Sequence, residues 1–111
     1  MNVAICKNLD NLWSTDRQLQ NTAFFHVLEL TDGPVKWAYE VWDELVENLS
    51  HKDNHNRAIA TQVLCYLANS DPQNRMLKDF HALLAVTKDE RFVTARHCMQ
   101  AVKKYAGLWR D

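Results

Sequence analysis

Glycine and proline are scarce. Two of each occur in 111 residues, whereas an all-β chain of this size spends many more on its turns, so helices are favoured. Cysteine is scarce too. Cys6, Cys65 and Cys98 are an odd number, widely spaced, with no CxxC pair, which suggests neither a disulfide framework nor a thiolate zinc site and fits a reducing compartment. No apolar run approaches the ~18 residues that a membrane helix needs. The opening MNVAICKNLDNLW has neither the basic start nor the apolar core of a signal peptide. A cytoplasmic location is therefore expected, with no membrane partner. Net charge is also small, at −1, so the chain as a whole lacks a strong nucleic-acid footprint. No glycine-rich phosphate loop, GxSxG or HExxH is present. Nothing selects a catalytic pair, so no enzymatic activity and no cofactor are expected.

What is present is an ordinary globular composition, 47% hydrophobic and 24% charged, of the size of one domain. The charge is unevenly placed. Residues 1–55 hold four Lys/Arg against nine Asp/Glu, and residues 56–111 hold nine against five. The first half is thus acidic and the second basic.

Breakers divide the chain into segments of helical length: Ser14-Thr15-Asp16, Thr31-Asp32-Gly33-Pro34, residues 50–54, Ser70-Asp71-Pro72 and Thr87-Lys88-Asp89. Their Ser, Thr and Asp side chains can cap the free N–H groups of a first turn. Pro34 and Pro72 suit a first helical turn. Between the breakers the apolar residues recur with helical period, as in Ala38, Val41, Trp42, Leu45, Val46 and Leu49. Six helices are predicted, over 2–13, 16–30, 34–49, 54–69, 72–86 and 89–106. Their contents repeat. Ala23 aligns with Ala60, 37 residues on, which carries Val27 onto Leu64 and Leu30 onto Leu67; Ala60 aligns with Ala95, 35 residues on. A 35–37-residue period in helix pairs predicts a stacked α-solenoid, with repeats over 1–32, 33–70 and 71–108.

The stretch HKDNHNRAIATQVL resembles the start of the second helix in the PBS-lyase type of HEAT repeat, D-x-D-P-x-V-R-x-x-A-x-x-A-L. It matches at Asp53, Arg57, Ala60 and Leu64 and departs at His51, Asn54 and Asn56. The resemblance implies a right-handed α-solenoid of three HEAT-like pairs, with the second helices lining a concave surface. It implies that Asp53 caps the turn and that Arg57 ties neighbouring repeats by hydrogen bonds. The first repeat keeps the acid, at Asp16, but has Gln20 for the Arg; the third has Lys88 and Phe92.

His51 and His55, with Asp53 between them, look at first like metal ligands. A metal needs three or four ligands, Asp53 is taken as a cap, and no third ligand follows. Cys98 falls on a core stripe, and Cys65 falls off the main stripe of its helix, to pack on a neighbour or line the inner surface. Helix 16–30 is apolar on two sides. Leu19, Ala23, Val27 and Leu30 form one stripe, and Phe24, Phe25 and Leu28 part of another. Neighbouring repeats can absorb the second stripe, which is the favoured reading; otherwise it marks a binding surface. On the last helix Arg96, Gln100, Lys103 and Lys104 form a basic face, opposed by Glu40, Glu44 and Glu47 on another repeat.

A non-catalytic scaffold or adaptor that binds a protein partner is therefore expected. The partner-binding residues would be the outward ones of the second helices: Arg17, Asn21, Thr61, His97, Gln100 and Lys104. A homodimer is compatible with so short a stack. A DNA-binding or DNA-repair protein of the HEAT-like alkylpurine glycosylase kind is the alternative, opposed by the acidic first half. A lyase-like relative acting on a tetrapyrrole rests on repeat type alone.

Overall fold

A computed structural model describes residues 3–86, without the side chains at 69, 80, 84 and 86; the predicted helix over 89–106 lies outside the described residues. The described residues form five α-helices: α1 (Val3–Asn11), α2 (Arg17–Thr31), α3 (Ala38–Asn48), α4 (Asn54–Leu67) and α5 (Arg75–Val86), with a 3-10 turn at Ala68–Ser70. No strand occurs among them.

Two carboxylates start helices as expected. Asp16 accepts hydrogen bonds from the backbone N–H groups of Gln18 and Leu19 at 3.0 and 3.3 Å, and Asp53 accepts from His55 N–H at 2.8 Å. Both satisfy donors that a first turn leaves without partners. The prolines behave otherwise. α3 begins at Ala38 and α5 at Arg75, so Pro34 and Pro72 stand before their helices and not in the first turn. The backbone is held elsewhere in both cases. Val35 N–H donates to the Ser70 hydroxyl at 2.7 Å, which pins the 34–37 segment against the next turn. Asn74 takes the left-handed conformation, φ 55°, which a short polar side chain tolerates and which cannot continue into a helix. Asp71 then caps α5 from outside, accepting the N–H groups of Arg75 and Met76 at 2.8 Å.

α1 packs on α2, α3 on α4, α2 on α4 and α4 on α5. α1 and α3 flank a shallow groove, and Trp13 N–H at the end of α1 bonds Glu44 of α3 at 2.7 Å. Trp42 of α3 bonds Asp79 of α5 at 2.8 Å. The molecule is thus two helical layers thick, in keeping with its shortest dimension of 19 Å and a helix diameter of ~10 Å.

The core joins Leu9 and Leu12 to Ala23, Val27, Trp42, Leu45, Leu49, Ile59, Ala60, Val63, Leu64 and Leu67. These are the stripes the periodicity predicts, with one correction. On α2 the buried residues are Gln20, Ala23, Val27 and Thr31, whereas Leu19 is 49% and Leu30 37% exposed. The inward face is rotated because two polar side chains are satisfied there. Gln20 donates to the Leu12 carbonyl and to the Asn56 side chain, both at 2.9 Å. The Thr31 hydroxyl donates to the Val27 carbonyl at 2.8 Å. A buried polar group with its bonds made costs little. α4 is central. Nine of its fourteen residues are buried, which is the fate of a helix whose small and apolar residues run round its whole circumference.

α3 and α5 are tied by a polar cluster that no motif announced. The Tyr39 hydroxyl donates to Asp71 and accepts from Gln73 N–H at 2.8 Å. Arg75 pairs with Asp43 at 2.5 Å, and its guanidinium lies 5.2 Å from the Tyr39 ring centre and 5.6 Å from that of Trp42, within cation–π range. Burial raises the Tyr39 pKa, helped by the bond to Asp71.

Candidate functional site

α2 and α4 lie side by side. Their shared face carries Arg17 and Asn21 of the predicted partner-binding set. Arg17 stands on the first turn of α2 and pairs with Asp53 at the start of α4, at 3.0 Å. It also donates to Gln20 Oε1 at 2.8 Å. The bond from Gln20 to Asn56 crosses from α2 to α4. Arg57 closes its own pair by donating to the His51 carbonyl at 2.6 Å. Cross-links of this kind fix the relative setting of α2 and α4, because buried hydrogen bonds tolerate little misalignment.

Asp53 is therefore a capping and bridging carboxylate. Burial works to raise its pKa, but the His55 N–H bond, the Arg17 bond and charge, and the Asn56 N–H together hold it below the ordinary value. His51 Nδ1 accepts from Asp53 N–H at 2.9 Å, and His55 Nδ1 lies 3.6 Å from the Asp53 carboxylate. Both histidines belong to the turn. No group of three or more His, Cys, Asp or Glu with metal-binding geometry occurs among the described residues.

Asn21 is exposed and lines a cavity of about 60 Å³ with Phe24 and with Asn54, His55, Ala58, Ile59 and Gln62 of α4. Thr61 is fully buried, its hydroxyl donating to the Arg57 carbonyl at 2.7 Å. Its side chain thus has no surface to offer a partner. It points, with buried Cys65, to the side of α4 opposite Asn56, Ile59 and Val63, by the 100° step of the helix. Gln62, one residue on, is half-buried and lines the cavity beside Asn21. His97, Gln100 and Lys104 lie outside the described residues, as do Arg96, Lys103 and Cys98. Of the opposing acids, Glu40 and Glu47 are exposed and Glu44 holds Trp13.

The second apolar stripe of α2 splits. Phe24 and Leu28 are half-buried against the core, as the absorbed reading has it. Phe25 is not absorbed; it is 64% exposed. With Leu28, Glu29 and Asp32 of the α2 end and Tyr66 of α4 it lines an open depression of about 360 Å³. The floor is aromatic and aliphatic, and two carboxylates stand at its rim. Residues 25, 29 and 32 follow one another at helical spacing, which the sequence shows; the approach of Tyr66 from another helix it does not. A third concavity, of about 140 Å³ between α1 and α3, is lined by Cys6, Leu9, Asp10, Glu40, Val41 and Glu44. No helix among the described residues is long and apolar enough to cross a membrane. Set against known protein families, curated proteins and solved structures, the chain matches none of them.

Proposed function

We propose that this chain is a non-catalytic, cytoplasmic interaction scaffold: a right-handed solenoid of HEAT-like helix pairs that binds a protein partner on the face formed by α2 and α4. The observation that carries the reading is Phe25, a large aromatic side chain 64% exposed beside Leu28 and Tyr66 in an open depression. Leaving such a ring in water is unfavourable by roughly 1–2 kcal/mol relative to covering it. Aromatic residues set in a polar rim are typical anchors of protein interfaces. Glu29 at the depression favours a partner segment that presents an apolar side chain flanked by a basic one, because opposite charge speeds encounter. A carboxylate there repels a phosphate backbone, which counts against the DNA-binding alternative. The hydrogen-bonded setting of α2 against α4 supports a preformed surface, which lowers the ordering cost of binding. Arg17 and Asn21 extend the face along α2.

Parallel affinity capture with the wild type and with Phe25→Asp tests this. A protein retained by the wild type and lost by the variant is the expected result. Identical captured sets from both baits would refute the reading.

A further inference from the structure

The cavity at Asn21 and the depression at Phe25 are two stations on one seam. α2 and α4 run parallel. Arg17 and Asp53 pair where both helices begin, and Asp32 and Tyr66 line one depression where both end. On α2 the lining positions 21, 25, 28 and 32 recur at three- and four-residue steps, and on α4 positions 55, 59, 62 and 66 do the same. At 100° per residue each set keeps within about 60° on its helix. The two concavities therefore lie end to end, over about 16 Å at 1.5 Å per residue. Their chemistry differs. The cavity has an apolar floor of Phe24, Ala58 and Ile59 and two carboxamides, Asn21 on α2 and Gln62 on α4. Among the described residues nothing bonds either carboxamide side chain, and no cation pairs with Glu29 at the depression. Glu29 stands near the C-terminal ends of both helices, where their dipoles add to its negative charge.

We infer that the seam binds an extended segment of a partner protein, of polyproline II shape, with two apolar side chains three residues apart and a Lys or Arg directly after the second. The inference rests on the reading of Phe25 as an interface anchor given above. The carboxamides decide against a docked helix. A helix has already used its own backbone groups, and its apolar face would cover Asn21 and Gln62 and leave them without partners, which is costly. A polyproline II chain has no internal hydrogen bonds, so its free N–H and C=O groups can each meet a carboxamide, which both donates and accepts. The spacing follows from the helices. The middles of the two concavities are about 10 Å apart along the seam. Residues i and i+3 of a polyproline II chain lie on one side, ~9 Å apart, whereas a β-strand returns to one side at ~7 or ~13 Å. One apolar side chain then enters the cavity against Phe24 and Ile59, and the other covers Phe25, Leu28 and Tyr66. The cation falls beside Glu29, and opposite charge sets the direction of the segment.

The test is an NMR titration of the full chain with serine-based peptides of about ten residues, to about 2 mM. The probe has leucines three apart and a lysine after the second. It binds with a Kd on the order of 100 µM and shifts the amides of α2 and α4 along the seam. Peptides with leucines two or four apart bind more weakly, and the same side chains locked in a helix do not bind. Asn21→Leu and Gln62→Leu each weaken the probe about five-fold, the usual contribution of one hydrogen bond. Glu29→Lys makes the chain prefer a peptide with glutamate in place of the lysine. Asn21 and Glu29 are exposed, so their variants keep the wild-type circular dichroism even where Gln62→Leu is less well folded. No binding of the probe, equal binding at all spacings, preference for the locked helix, or an Asn21→Leu chain that binds unchanged each overturns the inference. Self-association of the chain that Phe25→Asp abolishes also overturns it, because the occupant is then a second copy. Capture of a protein through Phe25 while no extended peptide binds removes the segment and leaves the scaffold reading standing.

Discussion

Gln20→Met removes the buried polar link between α2 and α4 while nearly keeping the side-chain shape. Gln20 is 1% exposed and donates two bonds of 2.9 Å, to the Leu12 carbonyl and to Asn56 Oδ1. Methionine cannot donate, so two buried acceptors lose a partner, at about 1–3 kcal/mol each in the unfavourable limit. The extra apolar surface of Met, about 1 kcal/mol when buried, offsets part of that. A net loss of about 2–3 kcal/mol is expected. For a chain of this length the unfolding entropy is roughly 0.23 kcal/mol/K, so the melting temperature falls by about 9–13 °C. The assay is urea unfolding with a thermal melt, and Gln18→Met, at an exposed position on the same helix, is the control, expected within about 0.5 kcal/mol of wild type. Asn56→Leu completes a double-mutant cycle. Because replacing both partners by apolar groups is far less costly than stranding one, the double variant loses about 1 kcal/mol or more less than the sum of the singles. Strict additivity, or a Gln20→Met loss under about 0.5 kcal/mol, would refute the claim that this bond joins α2 to α4.

Adjacent phenylalanines separate core from surface: Phe24→Ala costs about 2 kcal/mol in denaturant unfolding, whereas Phe25→Ala stays within about 0.5 kcal/mol, and equal losses would contradict their different burial. Asp53 has its pKa lowered in the folded state, so its contribution is complete above the unfolded value of ~3.9 and is lost as pH falls through and below it. Asp53→Asn should therefore differ from wild type at pH 6 and converge with it in thermal melts as pH falls through the folded value, by a modest amount because the carboxylate is 34% exposed. Tyr39 has its pKa raised, so the stability it brings is present below ~10 and lost as pH rises through the folded value. In an absorbance titration it should ionise after ordinary tyrosines, and Tyr39→Phe should remove that late phase and cost about 1–2 kcal/mol through the bond to Asp71.

Helix content and the main core stripes are legible in the sequence, because they depend on local quantities. Scarce Gly and Pro, capping acids at Asp16 and Asp53, and a 3.6-residue apolar period each act over a turn or two of chain. Trp42, Leu45, Ile59, Ala60, Val63 and Leu64 are buried as their spacing required. What local rules could not decide is which way a helix turns once its neighbours arrive. Gln20 and Thr31 count as polar in any periodicity, yet both are buried. Gln20 completes its hydrogen bonds with Leu12 in the loop before its own helix and with Asn56, 36 residues on, and Thr31 completes its own one turn back. That rotation exposes Leu19 and Leu30. Likewise Thr61 and Gln62 differ by one step of 100°, which composition cannot resolve but the position of α4 at the centre does. Pro34 and Pro72 had the φ for a first turn, but Val35 was claimed by Ser70, and Asp71 and Asn74 set the start of α5. The open depression at Phe25 belongs wholly to tertiary structure: its residues come from two helices, and only the packing of α2 on α4 brings Tyr66 to Phe25.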